Sequence, residues 1–189
     1  VSGPLKARDV FDLDAWSPGT HIWHARLDSE AAVTGPLNNL TGSLHSGQFD
    51  ARDPAIDGSG KQMAFALRTQ PDRGHRIALL DLASGSWRYL TDPGPPLAGG
   101  QIRSDRDPTW GPEGHIWFVS NRAGVVADGG RLLDAELYEL DPNSGALTRR
   151  TYTPHIERKP VFFAVGAEAG GEVSFTALRD VFADQRRAH

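Results

Sequence analysis

The chain has 189 residues and a mass of 20.5 kDa, enough to bury one core in one domain or at most two. Its formal net charge is −4 and its 20 basic residues are spread along the chain, which excludes a concentrated basic surface for nucleic acid. The absence of cysteine excludes disulfides, thiolate metal sites, a cysteine nucleophile and covalent c-type haem attachment within these residues.

Turn-forming residues are frequent, with 21 glycines and 13 prolines beside only 8% aromatic residues. This composition is typical of a β-rich fold with many chain reversals. No run approaches 18 consecutive apolar residues, and the first thirty residues contain no signal-peptide pattern. The sequence therefore predicts neither a membrane span nor a signal peptide.

A repeated segment is the main signal. Residues 16–23, WSPGTHIW, return as residues 110–117, WGPEGHIW, with five of eight positions identical. The offset of 94 residues is twice 47, and a weaker third copy lies midway, at residues 56–65. A period of about 47 residues with four strands per unit is typical of β-propeller blades.

Apolar runs of strand length alternate with turns that contain Asp and Gly, such as the Asp-x-x-Ser-Gly turns at residues 81–85 and 141–145. Asp suits tight turns because its side chain bonds nearby backbone N–H groups, and Gly because it adopts positive φ. In chain order, antiparallel strands are predicted at residues 20–26, 62–68, 76–81, 86–91, 115–120, 136–141, 147–152 and 172–178.

These strands predict an all-β fold of β-propeller blades, each a four-stranded antiparallel sheet whose apolar face a neighbouring sheet must cover. Three full blades and a partial fourth are expected within a single propeller region, residues 1–189. Their approximate limits are residues 10–45, 50–92, 105–152 and 158–189. Because the fourth unit lacks its last two strands, we expect a larger propeller, completed by other protein chains or by the remainder of a longer chain.

An arginine follows an apolar strand in every unit, and these four arginines are expected at one blade position: Arg26, Arg68, Arg122 and Arg179. Their guanidinium groups suit either contacts between neighbouring blades or binding of an anion or a partner's carboxylates. The aromatic residues near them are expected to be buried at equivalent positions between blades: Trp23, Phe65, Trp117 and Phe175.

The starts of the innermost strands carry another recurring feature. Asp53 and Asp107 each precede a proline, and Lys159 precedes the corresponding proline of the fourth unit. Propeller ligands usually meet these strands around the central channel, so the three residues are candidate channel-mouth binding residues. The alternative is that the Asp-Pro pairs mark strand entry, with the aspartate bonding nearby backbone N–H groups.

No catalytic residue, metal site or cofactor is predicted. The sequence contains no Gly-x-Ser-x-Gly elbow, no His-Glu-x-x-His and no phosphate-cradling glycine-rich loop. His21 and His24 are three residues apart in a predicted strand, so their side chains point to opposite faces. The other histidines have no partner at metal-ligand spacing.

The repeat resembles the PD40 repeat of TolB-like β-propellers, whose pattern is roughly P-x-W-S-P-D-G-K-x-I-A-F, I-Y-V-x-D and R-x-L-T. The matching segments are residues 53–65, 77–81, 88–91, 108–118 and 137–145, although the aspartate of S-P-D-G is missing from every copy. Residues 9–19 are also similar to the entry into the propeller of bacterial proteins related to the hydrazine synthase alpha subunit. No Cys-x-x-Cys-His is present, so that resemblance places any haem outside these residues.

The resemblance implies a periplasmic or otherwise extracytoplasmic propeller segment, non-catalytic, that binds or scaffolds proteins or ligands in a larger assembly. The alternative is the propeller portion of an extracytoplasmic enzyme, a haem-dependent oxidoreductase or a peptidase, whose catalytic residues lie outside this chain. A third interpretation is a propeller hydrolase with its own channel metal, which needs several carboxylates or amides to converge.

Overall fold

The computed structural model describes residues 13, 15–44, 46–96, 100–125, 133–153, 155–164 and 171–178. Within them, twelve strands form four antiparallel sheets that follow one another along the chain. The first sheet contains β1 (Trp23–Leu27) and β2 (Val33–Asn39). The second contains β3 (Asp50–Ile56), β4 (Gln62–Arg68), β5 (Arg76–Asp81) and β6 (Trp87–Tyr89).

The third sheet is also four-stranded and the fourth has two strands. The third contains β7 (Asp105–Trp110), β8 (Ile116–Ser120), β9 (Glu136–Leu140) and β10 (Leu147–Arg149). The fourth contains β11 (Ile156–Ala164) and β12 (Gly171–Leu178). None of the described residues form a helix long and apolar enough to cross a membrane.

The all-β fold of four-stranded antiparallel sheets is confirmed, and a strand lies at each predicted location, with ends shifted by a few residues. The predicted ranges omit β2, β3, β7 and β11; the last three were indicated only as innermost strands at the Asp-Pro and Lys-Pro pairs. Strand β2 contains Gly35 and Pro36, two residues that weaken a strand signal.

The hydrophobic core lies between sheets. Phe65 on β4 packs with Ile22 and Phe49 on the side of the first sheet. The neighbouring Ala64 packs with Phe118 of the third sheet. Alternate residues of β4 thus cover two different sheets, which is the burial expected of a strand with another sheet on each face.

The same backbone hydrogen bond joins each sheet to the next. An N–H near the start of the first strand of one sheet donates to the carbonyl that precedes the third strand of the preceding sheet. The three bonds are Ala51 N to Thr20 O (3.0 Å), Asp105 N to His75 O (2.9 Å) and Glu157 N to Ala135 O (2.8 Å). The four sheets are therefore successive units with a common geometry.

A second repeated bond shows which strands the first sheet contains. In each unit a threonine hydroxyl that follows the last strand accepts the backbone N–H at or just before the third strand. The three pairs are Ile22 with Thr41 (3.0 Å), Ile77 with Thr91 (2.9 Å) and Leu137 with Thr151 (2.9 Å). Strands β1 and β2 therefore correspond to the third and fourth strands of a blade.

This register corrects two parts of the sequence interpretation. The described residues contain two four-stranded sheets flanked by two two-stranded sheets, instead of three full blades and a partial fourth. In addition, residues 16–23 precede a third strand, whereas residues 110–117 span the turn before a second strand and the start of that strand. The two segments look alike because both combine a Pro- and Gly-containing turn with the start of an apolar strand.

The prediction of four equivalent buried aromatic residues is confirmed for Phe65, which is fully buried, and is wrong for Trp23 and Phe175, which are 56% and 39% exposed. Trp23 lies on a third strand, where Ala78 is its counterpart. The register of β3 with β4 and of β7 with β8 makes Phe118, and not Trp117, the counterpart of Phe65.

Phe175 does occupy the position of Phe65 and Phe118, as the pairing of Arg158 with Thr176 shows. Its exposure has a simple cause. In the complete sheets a third strand pairs with the strand that carries this phenylalanine, whereas within the described residues β12 pairs only with β11.

Candidate functional site

The candidate site lies on the first strands of three successive sheets, β3, β7 and β11. Each carries an arginine, then an acidic or basic residue, then proline, and the pairing with the next strand is interrupted there by a bulge. The middle residue adopts a left-handed backbone in every copy, with φ of 55° at Asp53, 52° at Asp107 and 53° at Lys159. A bulge suits this position because proline has no N–H to donate to a ladder.

The bulges of neighbouring sheets are joined by ion pairs. Arg106 Nε donates to Asp53 Oδ2 at 2.7 Å, and Arg158 Nε donates to Asp107 Oδ2 at 2.5 Å. Each arginine therefore reaches back to the aspartate of the preceding sheet. Lys159 joins both pairs, because its Nζ lies 2.9 Å from Asp53 Oδ1 and 2.7 Å from Asp107 Oδ1.

The electrostatics favour the charged forms. Burial alone raises the pKa of the Asp53 carboxyl, but attraction to Arg106 and Lys159 outweighs burial and holds the pKa well below its usual value. Burial alone lowers the pKa of Lys159, while the two aspartates raise it, and the net pKa lies above its usual value. The group that remains accessible is Lys159, whose side chain is 60% exposed.

The structure thus brings together the three predicted channel-mouth residues Asp53, Asp107 and Lys159. They lie in the middle of their strands, not at the start as the sequence interpretation had them. The reason is that each Arg-x-Pro group sits inside a bulge, which continues the strand beyond the proline. A role of these residues in binding stays a prediction.

The predicted arginine set does not share one position. Register places Arg68 opposite Asp50, whereas its counterpart in the third sheet is Asn121, one residue before Arg122. Arg26 lies on a third strand, and Arg179 lies outside the described residues.

The described arginines of this set differ in their contacts, and Arg68 contacts both its own unit and the segment before the first sheet. Arg68 donates from Nε to the carbonyl of Gln70 at 3.2 Å and lies over the ring of Trp16. Arg122 donates to the carboxylate of Asp105 at 2.6 Å. The exposed Arg26 accepts a long bond from Thr34 at its backbone carbonyl.

The inter-sheet role belongs instead to Arg106 and Arg158, which sequence reasoning missed. A signal was present, since an arginine directly precedes the Asp-Pro or Lys-Pro pair in all three units: Arg52, Arg106 and Arg158. Arg52 differs from the other two because it pairs with Asp50 of its own strand.

A second layer of polar contacts repeats beside the ion pairs. The Thr91 hydroxyl donates to Asp105 at 2.6 Å, and Asp105 also accepts from Arg122. In the next unit the Thr151 hydroxyl donates to Glu157 at 2.5 Å. These buried carboxylates hold the end of one sheet to the first strand of the next.

His75 is a buried titratable group next to this layer. It is fully buried, and its Nε2 lies 3.4 Å from Asp50 Oδ2 without hydrogen-bond geometry. Burial is the main cause that lowers the pKa of His75 to about 4; contact with Asp50 opposes this shift, and the positive charges of Arg106 and Arg52 add to it.

We expect this histidine to make stability depend on pH. Because the folded-state pKa is below the usual 6.5, the unfolded chain binds the proton more tightly, and stability falls as pH decreases from about 6.5 to about 4. The His75 contribution to the loss is about 2–3 kcal/mol. Urea unfolding at several pH values checks this, and the variant His75→Gln should show a shallower slope across that window. Equal slopes in the two proteins would contradict the assignment.

The charged groups of the site neutralise one another. In the bulge layer, formed by Asp53, Asp107, Lys159 and the two arginines that pair with them, each carboxylate accepts from a guanidinium or ammonium group, so neither is poised as a general base. Across the described parts of the chain, no three metal-ligating side chains converge. The arrangement is suited to holding sheets together around a polar surface on which Lys159 is accessible.

No protein-family model matches the sequence, and comparison with curated proteins finds no significant match. The fold is similar to that of the putative TolB from Agrobacterium tumefaciens, with a TM-score of 0.55 and 19% identity over 78% of this chain. The chain has the fold of a TolB-like β-propeller. It spans 44% of the length of that TolB chain, and an identity of 19% shows the fold alone.

Two further structures are similar at lower TM-scores and add no argument about this propeller segment. TolB from Acinetobacter baumannii has a TM-score of 0.46 and 17% identity, over 82% of this chain and 34% of that one. Kuenenia stuttgartiensis hydrazine synthase has a TM-score of 0.48 and 20% identity, over 76% of this chain and 25% of that one.

Proposed function

We propose that this chain is a binding and scaffolding segment of a larger β-propeller in an extracytoplasmic assembly, with no catalysis of its own. The observation that carries the proposal is that both terminal sheets expose apolar residues at positions that the two central sheets bury. The additional sheets that cover them belong to a longer chain or to other protein chains.

The first sheet exposes four large apolar side chains, each between 55% and 61% accessible: Trp23, Leu27, Val33 and Leu37. Trp23 corresponds to Ala78, which is fully buried in the cluster between the first and second sheets. The face that carries Trp23 is therefore the one that a preceding sheet covers in the repeat. Apolar surface of this kind marks an interaction face.

The last sheet also exposes an apolar residue that the central sheets bury. Phe175 is 39% exposed, whereas its counterparts Phe65 and Phe118 are fully buried. Strand β12 has an outer edge with no paired strand among the described residues, and natural proteins usually cover such edges. The first sheet consists of a third and a fourth strand and lacks a first and a second. The last sheet consists of a first and a second strand and lacks a third and a fourth.

The extracytoplasmic location rests on the resemblance to TolB-like propellers alone. The absence of catalysis is supported by the ion pairing of the bulge carboxylates, which leaves no free acid and base pair in the layer. The alternative of an enzyme's propeller portion has no observation of its own within the described residues.

The native size of the natural gene product tests the proposal. The gene carrying a C-terminal tag is expressed in its source cells, and the purified species is measured by light scattering and by intact mass. We expect a particle larger than the 20.5 kDa of this chain. A stable monomer of that mass that does not bind a hydrophobic dye would contradict the proposal, because such a monomer would have no exposed apolar faces for further sheets to cover.

A further inference from the structure

A polar pocket of about 260 Å³ lies between two loops at one end of the second sheet. One loop joins β4 to β5 and the other follows β6. The side chains of Gln70, Arg73, Arg76 and Asp92 line the pocket, and Gly94 forms part of its wall. The pocket is separate from the bulge layer, since none of these residues takes part in the ion pairs of Asp53 or Asp107.

A third arginine adjoins the wall of this pocket. Arg103 Nη1 lies so close to Gly94 that a Cβ added there would be 3.3 Å away. The same nitrogen is 3.4 Å from the Pro95 carbonyl, a long contact. Arg103 Nε is buried and has no hydrogen-bond partner among the described residues. A buried guanidinium N–H without an acceptor is costly, so a rotation of the Arg103 side chain that brings this N–H to a ligand oxygen in the pocket would be favourable.

The positive charge at the pocket is not neutralised by ion pairs. Arg73, Arg76 and Arg103 have no carboxylate ion pair within the described residues, whereas six other arginines do: Arg52, Arg106, Arg122, Arg149, Arg150 and Arg158. The single acidic residue of the pocket, Asp92, accepts the backbone N–H of Gly94 at 2.9 Å. Arg73 and Arg76 in the lining and Arg103 beside it, set against Asp92, therefore leave two positive charges in excess at the pocket.

The backbone around the pocket is closely fitted. A Cβ at Gly74 would lie 1.6 Å from the carbonyl oxygen of Arg103, so only glycine lets the two loops approach this closely. The Arg76 guanidinium carbon lies 3.4 Å from the centre of the Tyr89 ring, which restricts the motion of that side chain. Held in this way, the groups lose little freedom when a ligand binds.

We propose that this pocket binds a small, soluble phosphate monoester. Guanidinium groups bind phosphate oxygens through paired N–H donors, and a phosphate monoester carries about two negative charges at neutral pH, which matches the excess charge. The pocket is smaller than the usual sites for drug-sized ligands, which limits the organic part to a few atoms. Gln70 and Asp92 add acceptors for hydroxyl groups on that part. This inference is independent of how the propeller is completed.

Titration of the 189-residue chain, followed by NMR of the arginine Nε–H groups, tests the proposal with glycerol 3-phosphate, inorganic phosphate and succinate as probes. We expect saturable shifts of Arg73, Arg76 and Arg103, with a Kd for glycerol 3-phosphate of roughly 1 mM or tighter. Succinate should bind at least several-fold more weakly. The absence of saturation with both phosphates, or succinate binding as tightly as they do, would overturn the proposal.

Variants separate the pocket from general attraction of anions to basic residues. Arg76→Gln and the exposed Arg73→Gln should each weaken glycerol 3-phosphate binding by about tenfold or more, the loss expected for one charge-assisted hydrogen bond. Arg88→Gln is the matched control: Arg88 is exposed on β6, lies outside the pocket and donates to the Pro142 carbonyl at 2.9 Å. Equal Kd values for all three variants and the parent would also overturn the proposal.

Discussion

We expect Asp107→Asn to lower the free energy of unfolding by about 3–5 kcal/mol, the range for removing one partner of a buried ion pair. Asp107 is 3% exposed, and it accepts from Arg158, which is 6% exposed, and from Lys159. Asparagine keeps the shape of the side chain and tolerates the left-handed backbone of this residue. The loss therefore reports the charge together with one acceptor oxygen, and urea unfolding measures it.

The exposed Asp72 in the loop between β4 and β5 supplies the control for this prediction. Asp72→Asn should change stability by less than about 0.5 kcal/mol, as for most surface substitutions. If the two variants unfolded at the same urea concentration, the ion pairs between the bulges would not hold the sheets together.

The second large effect is expected for Phe118→Ala, at about 3–5 kcal/mol, because a fully buried phenylalanine leaves a cavity when truncated. Phe118 packs between the second and third sheets and stacks on Tyr138 with ring centroids 5.9 Å apart. The loss should appear in both thermal and urea unfolding. A variant as stable as the parent would show that this interface contributes little to stability.

The central strands were predictable from the sequence because their local pattern and their environment agree. Strands β4, β5, β8 and β9 are short apolar runs bounded by Gly and Asp turns, and sheets cover them in the structure. The first sheet was harder to predict. Strand β2 contains Gly35 and Pro36, which weaken a strand signal. The likeness of residues 16–23 to residues 110–117 reflects turn chemistry, and an alignment based on that likeness assigned β1 to the wrong strand of the blade.

The candidate site was predictable in part. The Asp-Pro and Lys-Pro pairs identified Asp53, Asp107 and Lys159, because a proline inside a β-rich repeat is a strong local signal. The partners Arg106 and Arg158 were missed because each ion pair joins residues more than fifty positions apart. Local patterns do not contain such contacts, which depend on the twist and spacing of neighbouring sheets.

The buried polar contacts of Thr91 and Thr151 were likewise not predictable from local sequence patterns. Each threonine stood out in the sequence only as the end of a short strand. In the structure, each bonds both the third strand of its own sheet and a carboxylate at the start of the next. The equivalent bond from Ile22 to Thr41, not the turn motifs, establishes that β1 and β2 are a third and a fourth strand.

The stability of Phe175→Ala in two settings tests the central claim most directly, that the terminal sheets are halves of blades completed by further sheets. Phe175 occupies the position of Phe118 but is 39% exposed. In the isolated 189-residue chain we therefore expect a smaller loss than at Phe118, about 1–2 kcal/mol, because part of the Phe175 side chain is already accessible to water. In the natural gene product the same substitution should cost about 3–5 kcal/mol, as at Phe118, because an added strand and sheet bury the ring. A small loss in both settings would contradict the account.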